Sequence, residues 1–315
     1  MTEWLLTFLG LVILLLAGDA LVKGAVNLSL RLGVPALIVS LTIVAFGTSA
    51  PELLIGIKAV LENAPGIAMG NVVGSNTANI LMVLGVPALV SAFRTSECDS
   101  RRSYLQMMVA TVLFIAICFM GPLYWVSGVA LLSVLVIILA SAFREARAHR
   151  AAGEPDDLED LEEADPDMPY WRIGLYLVLG LIGLPLGASL LVDNASLIAY
   201  RYGVSDMVIG LTLVAVGTSL PELATTFMAA LRRQADVALG NVIGSNMFNL
   251  LGIMGVASLF GVIPVSEDML RFDIWVMMGA SLLLIPFVYF KLDITRPIGA
   301  VLTGLYVVYL AAVIF

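Results

Sequence analysis

The stretch VAFGTSAPEL, Val44–Leu53, lies inside a long apolar run, and VAVGTSLPEL, Val214–Leu223, lies inside another. The two stretches start 170 residues apart and are identical at eight of ten positions. Each contains a proline, which removes a backbone donor and interrupts a helix. Each also places a glycine, two hydroxyls and a glutamate beside that proline. The chain therefore contains an internal repeat with a polar helix break in each copy.

The composition places these breaks in a membrane protein. Of 315 residues, 60% are hydrophobic and 13% are charged, and the mean hydropathy is +1.02. A soluble domain carries about 25% charged residues. Only helices or closed barrels satisfy the backbone inside a bilayer, and the strict alternation of barrel strands is absent. The sequence predicts an all-α polytopic membrane protein.

Apolar runs long enough to cross a bilayer, roughly 17 residues or more, occur five times on each side of one polar segment. This pattern divides the chain into a first transmembrane repeat (1–143), an acidic loop (144–170) and a second transmembrane repeat (171–315). The predicted spans are approximately 3–30, 34–60, 66–92, 104–120, 123–143, 171–200, 204–230, 236–263, 270–290 and 296–315.

The basic residues predict the orientation, because Lys and Arg collect on the cytoplasmic side of a membrane. Twelve of them fall on the side of the acidic loop and three on the other side. The segment Glu154–Asp167 carries nine acids and no base, so the net charge of −8 becomes +1 without it. Both termini should therefore lie outside and the loop in the cytoplasm. The charge pattern indicates no nucleic-acid partner.

The internal repeat continues beyond the first motif. GNVVGSNTANILMVLG, Gly70–Gly85, recurs as GNVIGSNMFNLLGIMG, Gly240–Gly255, again 170 residues later. Each half holds five predicted spans, an odd number, so the second half must enter the membrane from the opposite face. We therefore predict ten transmembrane helices arranged as two inverted five-helix repeats. This architecture is typical of secondary transporters with a site near the bilayer midplane.

Glu52 and Glu222 lie near the middle of their predicted spans, where a carboxylate is costly and is a functional candidate by default. We expect Ala50 and Leu220, which precede the prolines, to leave the helical conformation. The carbonyls around Ala45, Thr48, Ala215 and Thr218 should then lack helical partners. The residues expected to break or loosen the helices are Gly47, Pro51, Gly74, Gly217, Pro221 and Gly244.

Hydroxyl and amide oxygens follow in the second motif. Ser75 and Asn79 are four residues apart and share one helical face, and Ser245 and Asn249 repeat the pair. Carboxylates, carbonyls and hydroxyls together suit a hard cation such as Ca²⁺, which takes six to eight oxygens. The absence of thiolate and imidazole disfavours zinc and copper, while Mg²⁺ and Mn²⁺ stay open. The remaining motif amides, expected to hydrogen-bond between helices, are Asn71, Asn76, Asn241 and Asn246.

At these residues the chain resembles the cation/calcium exchanger superfamily, specifically its prokaryotic sodium/calcium exchanger-like branch. The motifs GTSxPE and GNxxGSNxxN, each present twice and in this order, carry the resemblance over essentially the whole chain. It implies antiport of Na⁺ for Ca²⁺ by alternating access, with the first and sixth helices sliding, in a prokaryotic cytoplasmic (inner) membrane. The ion-binding residues it implies, with the alanines acting through their carbonyls, are Ala45, Thr48, Ser49, Glu52, Ser75, Asn79, Ala215, Thr218, Ser219, Glu222, Ser245 and Asn249.

The counter-ion stays open at this point. A calcium/proton antiporter, or one for another divalent cation, is the alternative, because a buried glutamate can also carry a proton. A passive cation channel is less favoured. The potassium-dependent branch carries an aspartate where this chain has Asn79 and Asn249, so we expect no potassium requirement.

No other chemistry is expected. The sequence contains neither HExxH nor GxSxG, and we expect no enzyme activity. We expect no cofactor, since Ca²⁺ and Na⁺ are transported substrates. The expected partners are the lipid bilayer and the transported cations, with no obligate protein partner.

Overall fold

A computed structural model describes residues 2–152, 165, 167–203 and 215–314, and these residues form helices with no strand among them. Two helices, α2 and α9, contain a π-helical stretch, at Ser40–Val44 and Phe248–Ile253. The helices are α1 (Thr2–Leu32), α2 (Ala36–Thr48), α3 (Ala50–Leu61), α4 (Pro65–Val90), α5 (Arg101–Phe119), α6 (Trp125–Ala152), α7 (Tyr170–Arg201), α8 (Leu220–Leu231), α9 (Ala235–Phe260), α10 (Met269–Tyr289) and α11 (Arg296–Ile314).

Eight of the described helices are long and apolar enough to cross a membrane. The ninth span is the pair α2 and α3 when the two are counted together, with a bend of 43° between them. Helix α8 is apolar but only 12 residues long. It follows 204–214, the first part of the predicted seventh span, which lies outside the described residues together with most of the acidic stretch 154–167. The count of ten spans stays a prediction.

Helices α4 and α9 form the centre of the molecule. In their most apolar windows 83% and 89% of the residues are buried, against 17–39% in the six other long helices. Both carry the GNxxGSNxxN motif, so the polar residues of that motif are removed from lipid. This placement explains how the sequence tolerates so many amides and hydroxyls at membrane depth, because they face protein rather than hydrocarbon.

The two halves make reciprocal contacts. Phe93 and Ile294 exchange backbone hydrogen bonds of 3.0 and 3.1 Å, and Leu123 and Ile263 exchange bonds of 2.9 and 3.0 Å. Adding 170 to Phe93 gives Ile263, and Leu123 and Ile294 are 171 residues apart. Each bridge is therefore the image of the other under exchange of the halves.

The last helix of each half packs on the other half. Helix α6 lies against α9, where a Cβ added at Gly128 would be 2.6 Å from the carbonyl oxygen of Gly255. Helix α11 lies against α4 in the same way, with 2.8 Å between an added Cβ at Gly299 and the carbonyl oxygen of Gly85. Glycines allow these backbones to touch, as small residues commonly do between membrane helices.

Both predicted helix breaks are present, one residue earlier than expected. Ser49 has φ −85° and ψ 3°, and Ser219 has φ −89° and ψ 4°. Ala50 and Leu220, which we expected to leave the helix, instead begin α3 and α8. The following proline then occupies the first turn of a new helix, where its missing N–H has no partner to lose.

Candidate ion-binding site

The two glutamates lie in the first turns of the helices that follow the breaks, Glu52 in α3 and Glu222 in α8. Each is 1% exposed. The N-terminus of a helix carries unpaired N–H groups and a positive dipole end, so it favours a carboxylate. Ser49, at the break of the first half, donates a hydrogen bond of 3.1 Å from Oγ to Oε1 of Glu222. The two breaks therefore meet in the middle of the protein.

Threonine hydroxyls and asparagine amides connect the breaks to the central helices. Thr48 donates from Oγ1 to Oδ1 of Asn241 at 3.3 Å, and Thr218 donates to Oδ1 of Asn71, also at 3.3 Å. The Thr48 hydroxyl lies 3.5 Å from Oγ of Ser245. The sequence analysis treated Asn71 and Asn241 only as helix-packing residues. Their spacing of 170 was the available signal that they hold equivalent site threonines.

Four asparagines form a symmetric network between α4 and α9. Asn79 donates from Nδ2 to Oδ1 of Asn246 at 3.0 Å, and Asn249 donates to Oδ1 of Asn76 at 3.2 Å. Asn76 and Asn246 in turn donate to each other's backbone carbonyl at 3.4 and 3.3 Å. The expected interhelical role of Asn76 and Asn246 is confirmed. Because the amide nitrogens of Asn79 and Asn249 are held, their oxygens are turned the opposite way.

Several buried oxygens near the breaks have no hydrogen-bond partner among the described residues. Such groups are rare in folded proteins, and each one calls for an explanation. Four are acceptors only, two from carboxylates and two from amides, and the fifth is a hydroxyl. A bound cation satisfies this set, since carboxylate, amide and hydroxyl oxygens are the ligands that hard cations prefer. The atoms are Glu52 Oε2, Glu222 Oε2, Asn79 Oδ1, Asn249 Oδ1 and Ser219 Oγ.

A cleft of about 380 Å³ leads to part of this site. The site residues Ser75 and Thr218 line it, and Asn71 lies between them on the same wall. Helices α10 and α11 form the opposite wall, with Asp273 and Tyr309 as polar members. The cleft therefore reaches the hydroxyl residues of the site from one face of the protein.

The expectation for the Ala45 carbonyl was wrong. This oxygen accepts the backbone N–H of Ser49 at 3.0 Å and the hydroxyl of Thr48 at 3.2 Å. The helix axis bends by 43° only after Thr48, so the last turn of α2 keeps its hydrogen bond. In the second half, Ala215 begins the one-turn helix Ala215–Gly217. The Ser219 N–H bonds there to the carbonyl of Val216 at 3.0 Å, and the turn is tighter.

The motif glycines mostly allow close packing rather than flexibility. A Cβ at Gly47 would be 2.0 Å from Cδ2 of Leu181, and one at Gly217 would be 2.6 Å from Cγ2 of Val192. Both neighbours belong to α7, so the expected loosening is better described as a close approach to that helix. Helices α4 and α9 run without a break through Gly74 and Gly244.

The site and its surroundings define an all-helical integral membrane protein whose buried oxygens suit a cation. The sequence family agrees. The profile of the family described as sodium/calcium exchanger protein matches residues 2–144 and 173–315. The chain belongs to this family.

Similar proteins extend over nearly the whole chain. The sodium/calcium exchanger MaX1 of Methanosarcina acetivorans is 33% identical over 346 residues, covering 99% of this chain and 99% of that protein. The inner membrane protein YrbG of Escherichia coli is 34% identical over 310 residues, covering 97% and 95%. A solved structure of the sodium-calcium exchanger NCX_Mj superposes with a TM-score of 0.82 at 33% identity, covering 99% of this chain and 98% of that one.

Proposed function

We propose that this chain is an antiporter that exchanges Na⁺ for Ca²⁺ at the site between its two helix breaks. The observation that carries the proposal is the set of buried oxygens without hydrogen-bond donors, centred on Glu52 and Glu222. Five such atoms from both halves of the chain are too many for a structural defect, because folded proteins leave few buried polar groups unpaired.

The charge of the set selects the substrate. Two ionised glutamates balance one divalent cation, and they repel anions such as chloride and phosphate. The same oxygens can hold Na⁺ when Ca²⁺ has left, since neither ion demands a fixed geometry and Ca²⁺ accepts six to eight oxygens. Competition for one set of ligands couples the two fluxes. The further ligands of the proposal are Ala45, Thr48, Ser49, Ser75, Asn79, Ala215, Thr218, Ser219, Ser245 and Asn249.

The reciprocal contacts support an arrangement in two inverted repeats, 1–143 and 171–315. The bridge between Phe93 and Ile294 has its image in the bridge between Leu123 and Ile263. In such proteins the site is fixed near the midplane, and one part of the structure moves to expose it to either side. We place both termini outside and the loop 144–170 in the cytoplasm of a prokaryotic inner membrane. YrbG, described as an inner membrane protein, supports this location.

Flux measurements in liposomes test the proposal. The purified protein is reconstituted, and uptake of radiolabelled Ca²⁺ is followed with Na⁺ inside and none outside, at a membrane potential clamped to zero. We expect uptake that stops when the Na⁺ gradient is removed and that needs no K⁺. Uptake driven only by a proton gradient would assign the same site to the calcium/proton alternative. Uptake without any counter-ion would indicate a channel.

A further inference from the structure

Asp273 is a carboxylate within the cleft that the transport mechanism above does not use. It lies on the first turns of α10, is partly buried, and accepts a hydrogen bond of 3.1 Å at Oδ1 from the hydroxyl of Tyr309 on α11. Both side chains line the same cleft as Ser75 and Thr218. An ionisable group at this depth is expensive to keep and usually marks an ion pathway.

The internal repeat does not account for Asp273. The site residues of the two halves correspond at a spacing of 170, and the residue 170 positions before Asp273 is Ser103. The carboxylate was therefore placed on one side only. It also does not complete an ion pair with the nearest base on its own helix, because Arg271 binds Glu267 at 3.0 Å and both of these side chains are largely exposed.

The charges around Asp273 favour a cation. Glu267 and Asp268 precede it on the same segment, so three acids face a single base, Arg271, between 267 and 273. Most of the remaining cleft wall is apolar, including Ile55, which lowers the local dielectric and focuses the field of the carboxylate along the cleft. A divalent ion responds to this field twice as strongly as Na⁺.

We propose that Asp273 and the hydroxyl of Tyr309 form an accessory cation site, at which Ca²⁺ binds before it reaches Glu52 and Glu222. In the proposed orientation the cleft opens to the outside, so this site raises the rate at which external Ca²⁺ is captured. The inference rests on the proposed exchange function for its physiological meaning, but the site itself has a direct binding test.

The kinetic test compares Asp273→Asn with the matched variant Asp268→Asn. The asparagine at 273 keeps an acceptor for Tyr309, so the fold is retained, whereas the charge is removed. We expect the KM for external Ca²⁺ to rise about 3- to 10-fold, the lower end of electrostatic enhancement in a charged cleft, with the maximal rate unchanged. Asp268 is exposed and does not line the cleft, so its variant should change KM less than twofold. Raising the ionic strength with choline chloride should shrink the difference.

The binding test uses Tb³⁺, which replaces Ca²⁺ and emits when an adjacent tyrosine is excited. The protein with Glu52→Gln and Glu222→Gln, which lacks the transport carboxylates, should retain a Tb³⁺ signal that disappears on adding Asp273→Asn. An unchanged KM together with an unchanged Tb³⁺ signal in the Asp273 variants would overturn the accessory site while leaving exchange by the parent protein intact. Loss of the signal in a protein that shows no Na⁺-driven uptake would instead uphold the site and reject the proposed exchange.

Discussion

Replacing Gly244 with alanine tests how the cleft is kept closed on the other face. Gly244 lies in α9 beside the end of α2. A Cβ added there would be 2.5 Å from the carbonyl oxygen of Leu41 and 2.6 Å from Cβ of Ala45. Both distances are far below van der Waals contact, and the oxygen belongs to the backbone, so α2 must move away from α9. The substitution therefore disfavours the conformation described here.

The size of the effect follows from the cost of overpacking. One inserted methylene in a tightly packed interior costs about 1–3 kcal/mol, which changes an equilibrium between two conformations by about 5- to 150-fold. In a transporter with alternating access, the form that gains population is the one in which α2 has separated from α9 and the cleft at Ser75 has closed. We expect Gly244→Ala to lower the fraction of molecules with an open cleft by at least fivefold, if the two forms start near equal population.

Labelling of a cysteine in the cleft measures that fraction. Ile55 lines the cleft three residues after Glu52, and Ile55→Cys gives a site for a membrane-impermeant maleimide. The native thiols contribute little background, because Cys98 and Cys118 are buried and burial raises the pKa of the Cys98 thiol. The labelling rate of Ile55→Cys should fall in proportion to the open fraction when Gly244→Ala is added.

The repeat provides the matched control. Gly74 is the equivalent residue in α4, and no described atom lies within 4 Å of a Cβ added there. Gly74→Ala should leave the labelling rate of Ile55→Cys at or above that of the parent. Equal labelling rates and equal thermal stability for Gly244→Ala and the parent would refute the reasoning from packing.

Three further predictions concern the site and the loop. Glu52→Gln and Glu222→Gln should each abolish Na⁺-driven Ca²⁺ uptake without loss of membrane insertion, whereas the exposed Glu62→Gln should transport normally; full activity of both site variants would reject the site. Asn246→Leu removes the acceptor of Asn79, so the ligand amide is no longer oriented, and the KM for Ca²⁺ should rise about tenfold, the equivalent of roughly 1–2 kcal/mol for one lost buried hydrogen bond. An unchanged KM would mean that Asn79 is not a ligand. Deleting 154–167 should leave the exchange rate near that of the full chain, and a large loss would show that the acidic segment acts in transport.

Much of this arrangement could be predicted because the chain contains it twice. A single buried glutamate is ambiguous, but Glu52 and Glu222 at equivalent positions, each after a proline, indicated helix breaks and a cation site. The positions of Asn79 and Asn249 followed from the same spacing. The helix classes and the polar centres depend on local patterns, which a sequence displays directly.

The remaining features depend on what lies next to a residue in space. Gly74 and Gly244 stand in the same motif, yet only Gly244 packs against α2 among the described residues. The partners of the Ala45 carbonyl depend on how sharply the chain turns after Thr48, which the presence of a proline alone does not fix. Asp273 escaped notice because it has no counterpart in the other half and joins the cleft only through the packing of α10 and α11.

The exchange of final helices between the halves has a consequence for how the protein is made. During synthesis, α6 emerges from the ribosome about 100 residues before α9, on which it packs, and α4 waits for α11, the last helix of the chain. Neither half can complete its interior alone. A premature stop in the last twenty codons therefore leaves the centre of the first half uncovered, and a duplicated ancestral gene whose products had come to interlock in this way could no longer lose either copy.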